Sequence, residues 1–225
     1  MNSVNVVECF PSFQGEGPDT GKRSLILRFK NCNRRCVWCD TIKKMEESKE
    51  FSLMVGAIQS VIDHEKCGLL ITGGEPTFNS PANNNLDQTL LLLRSLIYPF
   101  ANVETNGYAL EELVLKIDIH MKRRIRFIYS PKLFTDKDLD QAMENIDTLQ
   151  YASNVFLKIV CDPSLDLISN FLEHISKYSM HERVYLMPEG TSRDVLLKNA
   201  TSVLKIANHY KFNFSSREHI IYDFV

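Results

Sequence analysis

The chain has 225 residues, 44% hydrophobic and 24% charged, with a formal net charge of −2. That near-balance gives no reason to expect nucleic acid or a membrane surface as the main partner. No apolar run approaches the roughly 20 residues that span a bilayer, and Met1 to Asn5 lacks the charged-then-apolar pattern of a signal peptide, so a cytoplasmic globular protein is expected.

Short β-branched runs alternate with longer amphipathic stretches from about residue 24 to 210. Strands are predicted at Ser24–Phe29, Gly68–Thr72, Ala101–Glu104, Ile125–Tyr129, Val155–Val160 and Arg183–Met187. Helices are predicted at Leu53–His64, Leu86–Leu96, Asp136–Asn145, Leu165–Tyr178 and Ser192–Asn208. The buried stripe of the last is expected to run Val195, Leu196, Asn199, Val203, Leu204 and Ala207. Such alternation implies an α/β fold of parallel βαβ units. Six strands fit an incomplete parallel β/α barrel better than a closed eight-stranded one. No Pro/Gly/Ser linker or internal repeat divides the chain. One domain over residues 1–225 is therefore expected, with an N-terminal segment (about 1–23) and a C-terminal tail (about 211–225). The polar stretch from Phe78 to Asn85 reads as a solvated connector, and Lys122-Arg123-Arg124 with Arg126 as a solvated face. The charged segment from Ile42 to Glu50 can form a lid.

Of six cysteines, three lie on one short loop after the first predicted strand, as Cys32-x3-Cys36-x2-Cys39, followed by Asp40-Thr41. A closed zinc site takes four protein ligands, and an ordinary cubane cluster takes four cysteines. Three thiolates leave one metal open to a substrate or cofactor. The alternative is a zinc knuckle completed by a distant histidine or cysteine, although no compact second ligand pair is visible. Trp38, between two of the cysteines, either shields a cluster or packs in the core. Cys9, Cys67 and Cys161 lie in or beside apolar sequence and are expected to be small buried residues.

Four more motifs fall at the carboxyl ends of predicted strands, the rim where parallel α/β folds carry their sites. They are Gly73-Gly74-Glu75-Pro76, Glu104-Thr105-Asn106-Gly107, Ser130-Pro131-Lys132 and Met187-Pro188-Glu189-Gly190. Each is also readable as a turn. Ahead of the first parallel strand stands Phe13-Gln14-Gly15-Glu16-Gly17, a glycine-flanked amide and carboxylate suited to the donor–acceptor edge of a guanine-like ring. Arg28, within that strand, offers a bidentate partner for a carboxylate. A glycine turn with a surface salt bridge is the plain alternative.

The cysteine triplet, with an aromatic before its third member and Gly-Gly-Glu-Pro downstream, resembles the radical S-adenosylmethionine (SAM) enzymes. Gln-Gly-Glu-Gly, Arg28, Cys-Asp-Thr, Gly-Gly-Glu-Pro and Ser-Pro-Lys together resemble the 7-carboxy-7-deazaguanine synthase family, in the expected order over residues 8–132 and more weakly beyond. The resemblance implies a [4Fe–4S] cluster on Cys32, Cys36 and Cys39, and a Mg²⁺ bound through Thr41. It implies SAM held by Trp38, Cys39, Asp40, Gly73, Gly74, Glu75, Glu104, Asn106, Ser130, Pro131, Lys132, Met187 and Pro188. The substrate, 6-carboxy-5,6,7,8-tetrahydropterin, would be bound by Phe13, Gln14, Gly15, Glu16, Arg28, Thr72, His219 and the terminal carboxylate of Val225. For His219 an exposed or core-satisfied histidine is the alternative. The implied reaction is a radical ring contraction to 7-carboxy-7-deazaguanine with loss of ammonia, initiated by reductive cleavage of SAM, which is regenerated. A flavodoxin or ferredoxin donor and a homodimer are likewise implied. Glycyl-radical-activating enzymes share the cysteine spacing but are not expected to carry Gln-Gly-Glu-Gly. A non-catalytic zinc-stabilised module is the third possibility.

Overall fold

The computed structural model describes residues 2–36, 39, 41–162 and 166–224, with only the backbone described for Lys43 and Lys44. It divides into two compact units, Met1–Phe13 with Lys22–Phe127, and Gln14–Gly21 with Ile128–Val225.

In the first unit the elements are β1 (Ser3–Val6), β2 (Glu8–Phe13), β3 (Arg23–Phe29), α1 (Ile42–Glu47), β4 (Phe51–Met54), α2 (Val55–Glu65) and β5 (Gly68–Gly73). There follow the two-residue strands β6 (Asn79–Ser80) and β7 (Asn83–Asn84), then α3 (Asn85–Ser95), β8 (Ala101–Thr105), α4 (Leu110–Lys116), α5 (Ile119–Lys122) and the start of β9 (Ile125–Tyr129). The apolar runs of β3 and β5 pair in parallel, Ser24 with Gly68 through Phe29 with Gly73, and β5 pairs in parallel with β8. Leu25, Leu27, Leu69, Ile71 and Val103 are fully buried, as strands covered on both faces require. On its other side β3 pairs antiparallel with β2, setting Glu8 opposite Arg28. Pro11 is tolerated in β2 because that strand ends the sheet order.

Two expectations for this unit are corrected. The helix predicted from Leu53 begins at Val55, because Leu53 and Met54 pair instead with Val4 and Ser3 of β1. The expected connector from Phe78 to Asn85 contains the β6–β7 hairpin and ends on a buried Asn85. The Asn85 amide donates to the carbonyls of Glu75 (2.9 Å) and Asn31 (3.2 Å).

The second unit has the end of β9, then α6 (Asp136–Leu149), β10 (Val155–Cys161), α7 (Asp166–Ile175), β11 (Val184–Pro188), α8 (Arg193–Tyr210), β12 (Asn213–Phe214) and α9 (Glu218–Ile221). Strands β10 and β11 pair in parallel, as do β11 and β12. A capping box between Thr135 and Asp138 starts α6, satisfying amides that a helix N-terminus otherwise leaves bare. Helix α7, expected to reach Tyr178, stops at Ile175; Leu165 lies outside the described residues. In α8 only Leu196, Val203 and Ala207 of the expected stripe are buried. Val195 and Leu204 are 40% and 47% exposed. At about 100° per residue they stand roughly 80–100° to either side of the Leu196–Val203–Ala207 line. Asn199 is half-buried and donates to the Glu189 carbonyl at 2.9 Å.

All six predicted strands are present, and the fold is α/β with largely parallel pairing. Among the described residues no helix is long and apolar enough to cross a membrane.

Candidate functional site

The cysteine loop leaves the end of β3 in the first unit. Cys32, Cys36 and Cys39 are in no disulfide and are partly exposed, and Cys39 N–H closes a turn onto the Cys36 carbonyl at 3.2 Å. The Cys32 sulfur accepts from Arg34 N–H (3.4 Å) and from Asn106 Nδ2 (3.8 Å), while Cys39 Sγ lies 3.4 Å from the Thr41 hydroxyl. Burial pushes the Cys32 thiol above its ordinary value; the Arg34 N–H opposes this, and Glu75, Cys36 and Cys39 add to it. Among the described residues no three His, Cys, Asp or Glu side chains form a single-ion site. A cubane cluster makes a different demand, since each cysteine binds its own iron. The donor set of three neighbouring thiols, with N–H groups turned to one sulfur, suits that group.

The other cysteines contrast with these. Burial pushes the Cys9 thiol up to about 11, with Cys67 adding, and the Cys161 thiol up to about 12. Cys67 and Cys161 are fully buried, as expected, and Cys9 half-buried. A thiol held protonated is chemically inert.

The Gly73-Gly74-Glu75 turn packs against the start of the cysteine loop. Gly73 has φ +100°, and a Cβ there would come within 2.3 Å of Arg28 Cγ and 2.5 Å of the Phe29 carbonyl oxygen, so only glycine fits. Gly74 N–H donates to the Phe29 carbonyl and Glu75 N–H to that of Asn31, both at 2.7 Å. The Glu75 side chain, 1% exposed, turns inward. Its Oε1 accepts from Thr77 N–H (2.9 Å), Thr77 Oγ1 (2.6 Å) and Thr105 Oγ1 (2.7 Å), and its Oε2 from Asn106 N–H (2.6 Å). Burial pushes this carboxyl up, against the pull of those four donors. The carboxylate is thus a brace between two motif turns, a role that sequence reasoning missed along with Thr77, Thr105 and Asn85. The Asn106 amide goes on to Asn33 Oδ1 at 2.8 Å.

Elsewhere in this unit, Thr72 Oγ1 donates to Glu104 Oε2 at 2.9 Å, and Arg28 Nε pairs with Glu8 Oε2 at 2.6 Å. Phe13 is 50% exposed at the end of β2. Trp38, Asp40 and Val225 lie outside the described residues.

In the second unit Glu16 sits among cations. Lys158 Nζ donates to its Oε2 at 2.6 Å, Arg217 Nε to its Oε1 at 2.8 Å, and His219 Nε2 lies 3.7 Å from Oε1. Burial alone would raise the Glu16 carboxyl; Lys158, Arg217 and His219 outweigh it and hold the group well below the usual carboxylate range. Gln14 is buried, and Gly15 lies so close under the His219 ring that a Cβ would meet Nδ1 at 2.3 Å. Lys132 Nζ donates to Ser130 Oγ at 2.8 Å beside a buried Pro131. Met187 and Pro188 are buried in β11, and the Gly190 carbonyl accepts from Arg217 Nη1 at 2.8 Å. Lys158 and Arg217 were not anticipated. A lone lysine inside the apolar run Val155–Cys161 was the available signal, because a lysine there needs a buried partner.

No protein-family model matches the chain. The 7-carboxy-7-deazaguanine synthase of Haemophilus influenzae is 32% identical to it over 186 residues, 77% of this chain and 82% of that protein. The chain belongs to the 7-carboxy-7-deazaguanine synthase family. The Thermoplasma acidophilum synthase of that name is 31% identical over 181 residues, covering 75% and 76%. The Hyperthermus butylicus synthase is 28% identical over 231 residues, covering 98% and 94%. Among solved structures, QueE from Escherichia coli matches with a TM-score of 0.61 over 96% of this chain and 95% of that one, at 18% identity. Streptococcus suis SuiB bound to S-adenosylmethionine matches at 0.55 and 14% identity, over 85% of this chain and 48% of SuiB. At these identities the two structures speak to the fold, which this 7-carboxy-7-deazaguanine synthase family member shares with them.

Proposed function

We propose that the protein is a radical SAM lyase of the queuosine (7-deazapurine) pathway, contracting the ring of 6-carboxy-5,6,7,8-tetrahydropterin to 7-carboxy-7-deazaguanine with loss of ammonia. The observation that carries this reading is the likeness over most of the chain to synthases of that name. The three-cysteine loop is the local chemistry such an enzyme needs. Neither a glycyl-radical activase nor a zinc-stabilised module draws support from the relatives.

A [4Fe–4S] cluster and SAM, when bound, supply the radical chemistry. Cys32, Cys36 and Cys39 are the proposed cluster ligands, and Asn106 and Arg34 donate N–H groups toward the Cys32 sulfur. The backbone of Gly73 and Gly74 is the proposed contact for the amino acid end of SAM. Ser130 and Lys132 offer a hydroxyl and an ammonium, held 2.8 Å apart, for its carboxylate. That SuiB, with the same fold, binds SAM agrees with this assignment. The Gln14-Gly15-Glu16 segment, with Arg28 and Thr72, is the proposed substrate contact. Mg²⁺ on Thr41 rests on a hydroxyl beside Cys39 and on the preference of that ion for oxygen. A flavodoxin or ferredoxin donor and a homodimer rest on family membership. A cytoplasmic setting rests on free thiols that a reducing compartment preserves.

The test is anaerobic incubation of the reconstituted protein with SAM, dithionite, Mg²⁺ and 6-carboxytetrahydropterin, read by mass spectrometry. A product with the mass and fragmentation of 7-carboxy-7-deazaguanine is expected. Cleavage of SAM without that product would overturn the substrate while leaving the radical chemistry in place.

A further inference from the structure

Lys158 is 5% exposed in the middle of β10, flanked by the buried Leu157 and Ile159. Nothing in the packing of an apolar strand calls for an ammonium group. A well-packed hydrophobic side chain in place of a buried ion pair is often neutral or stabilising. The lysine is thus best explained by what it holds, which is Oε2 of Glu16 at 2.6 Å. Arg217 takes the other oxygen at 2.8 Å, so both oxygens of one carboxylate are bonded to buried cations.

The same short segment is gripped at its backbone. Glu218 N–H donates to the Gly15 carbonyl at 2.9 Å, and Gly17 N–H donates to Ser215 Oγ at 2.8 Å. Arg217 also reaches the Gly190 carbonyl through Nη1 at 2.8 Å. Residues 215–219 and Lys158 together fix residues 15–17 from two directions. A carboxylate so engaged is an anchor for its own backbone.

We propose that Lys158 and Arg217 are positioning residues for substrate binding: they act through the Glu16 carboxylate, which fixes the Gln14-Gly15-Glu16 segment and is not itself the group that reads the pterin. This rests on the assignment of that segment to the substrate.

The test is a double-mutant cycle on the reconstituted holoenzyme. The dissociation constant of 6-carboxytetrahydropterin is measured anaerobically for wild type, Glu16→Gln, Lys158→Met and the double variant, with SAM affinity measured in parallel. If the carboxylate acts through the lysine, each single change weakens pterin binding by on the order of tenfold to a hundredfold, and the double variant is no weaker than the worse single. In Lys158→Met the loss falls on pterin affinity while SAM affinity stays near wild type, and Lys158→Arg restores most of the pterin affinity. Unchanged pterin binding in Lys158→Met beside a weakened Glu16→Gln, or losses that multiply in the double variant, would overturn the proposal.

Hydrogen exchange at the Gly15–Gly17 amides separates this from the substrate assignment. A wild-type protein that binds SAM but not the pterin contradicts that assignment. The anchor is then judged by exchange alone. Faster exchange of these amides in Lys158→Met and in Arg217→Lys supports it, and unchanged exchange overturns it.

Discussion

Asn106 donates its backbone N–H to Oε2 of Glu75 at 2.6 Å, tying the turn after β8 to the turn after β5. From that position the Asn106 amide reaches Asn33 Oδ1 at 2.8 Å and the Cys32 sulfur at 3.8 Å. A buried carboxylate thereby sets the place of a donor aimed at a proposed cluster ligand. The outer hydrogen bonds of a metal site orient its ligands and tune the metal in this way.

Glu75→Ala should destabilise the protein strongly. It removes the acceptor of Thr77 N–H, Thr77 Oγ1, Thr105 Oγ1 and Asn106 N–H in a site closed to water. With each stranded buried donor costing about 1–3 kcal/mol, a loss of at least about 3 kcal/mol is expected in chemical denaturation. Glu75→Gln, which keeps one acceptor oxygen, should lose less. Unaltered stability in the alanine variant would mean that the carboxylate is not a brace.

Asn106→Ala should lower the reduction potential of the reconstituted cluster. An N–H donor to a ligand sulfur favours the reduced, more negative state, so its removal disfavours reduction. The check is a redox titration followed by electron paramagnetic resonance, with iron and sulfide content compared first. An unmoved potential at full cluster content would exclude this role for the amide.

Glu16 should contribute stability that depends on pH in a defined window. Its carboxyl titrates below the ordinary glutamate value of 4.5, because Lys158, Arg217 and His219 outweigh the effect of burial. A group with a depressed folded value stabilises fully above 4.5, and that stability is lost as pH falls below 4.5 toward the folded value. Wild type should therefore exceed Glu16→Gln by about 3 kcal/mol near neutrality, with the gap shrinking in acid. Denaturation midpoints measured across the acid range for both proteins give the comparison. A gap that widens on acidification would reverse the sign argued here.

Gly15→Ala should be destabilising through His219. The added Cβ would stand 2.3 Å from Nδ1 and 2.9 Å from Cβ and Cγ of that ring, and overpacking of this kind costs about 1–3 kcal/mol. Adding His219→Ala, which removes the ring contacts but keeps the Cβ at 2.9 Å, should recover part of the loss, and thermal melts of the single and double variants test this. A double variant no better than Gly15→Ala would place the strain elsewhere.

The parallel strands were legible because a strand buried on both faces is a continuous apolar run, as in Leu69 to Ile71 and Val155 to Leu157. The antiparallel strands were not. Glu8–Phe13 carries a proline and a glutamate, and Ser3–Val6 is too short for its alternation to stand out. The motif turns were legible as residue types at strand ends, but the direction of their side chains was not. Glu75 turns inward because Thr77 and Thr105 supply hydroxyls there, the latter from 30 residues away. The Glu16 site was half legible: its own segment stood out, whereas Lys158 and Arg217 lie 142 and 201 residues along the chain. No local pattern reports a partner at that distance.

The most direct measurement is anaerobic turnover of 6-carboxytetrahydropterin by the reconstituted wild-type protein, run beside a variant with Cys32, Cys36 and Cys39 changed to alanine. Formation of 7-carboxy-7-deazaguanine by wild type and none by the variant is the predicted result. A wild-type protein with a full cluster that cleaves SAM yet leaves the pterin unchanged would contradict the assigned function.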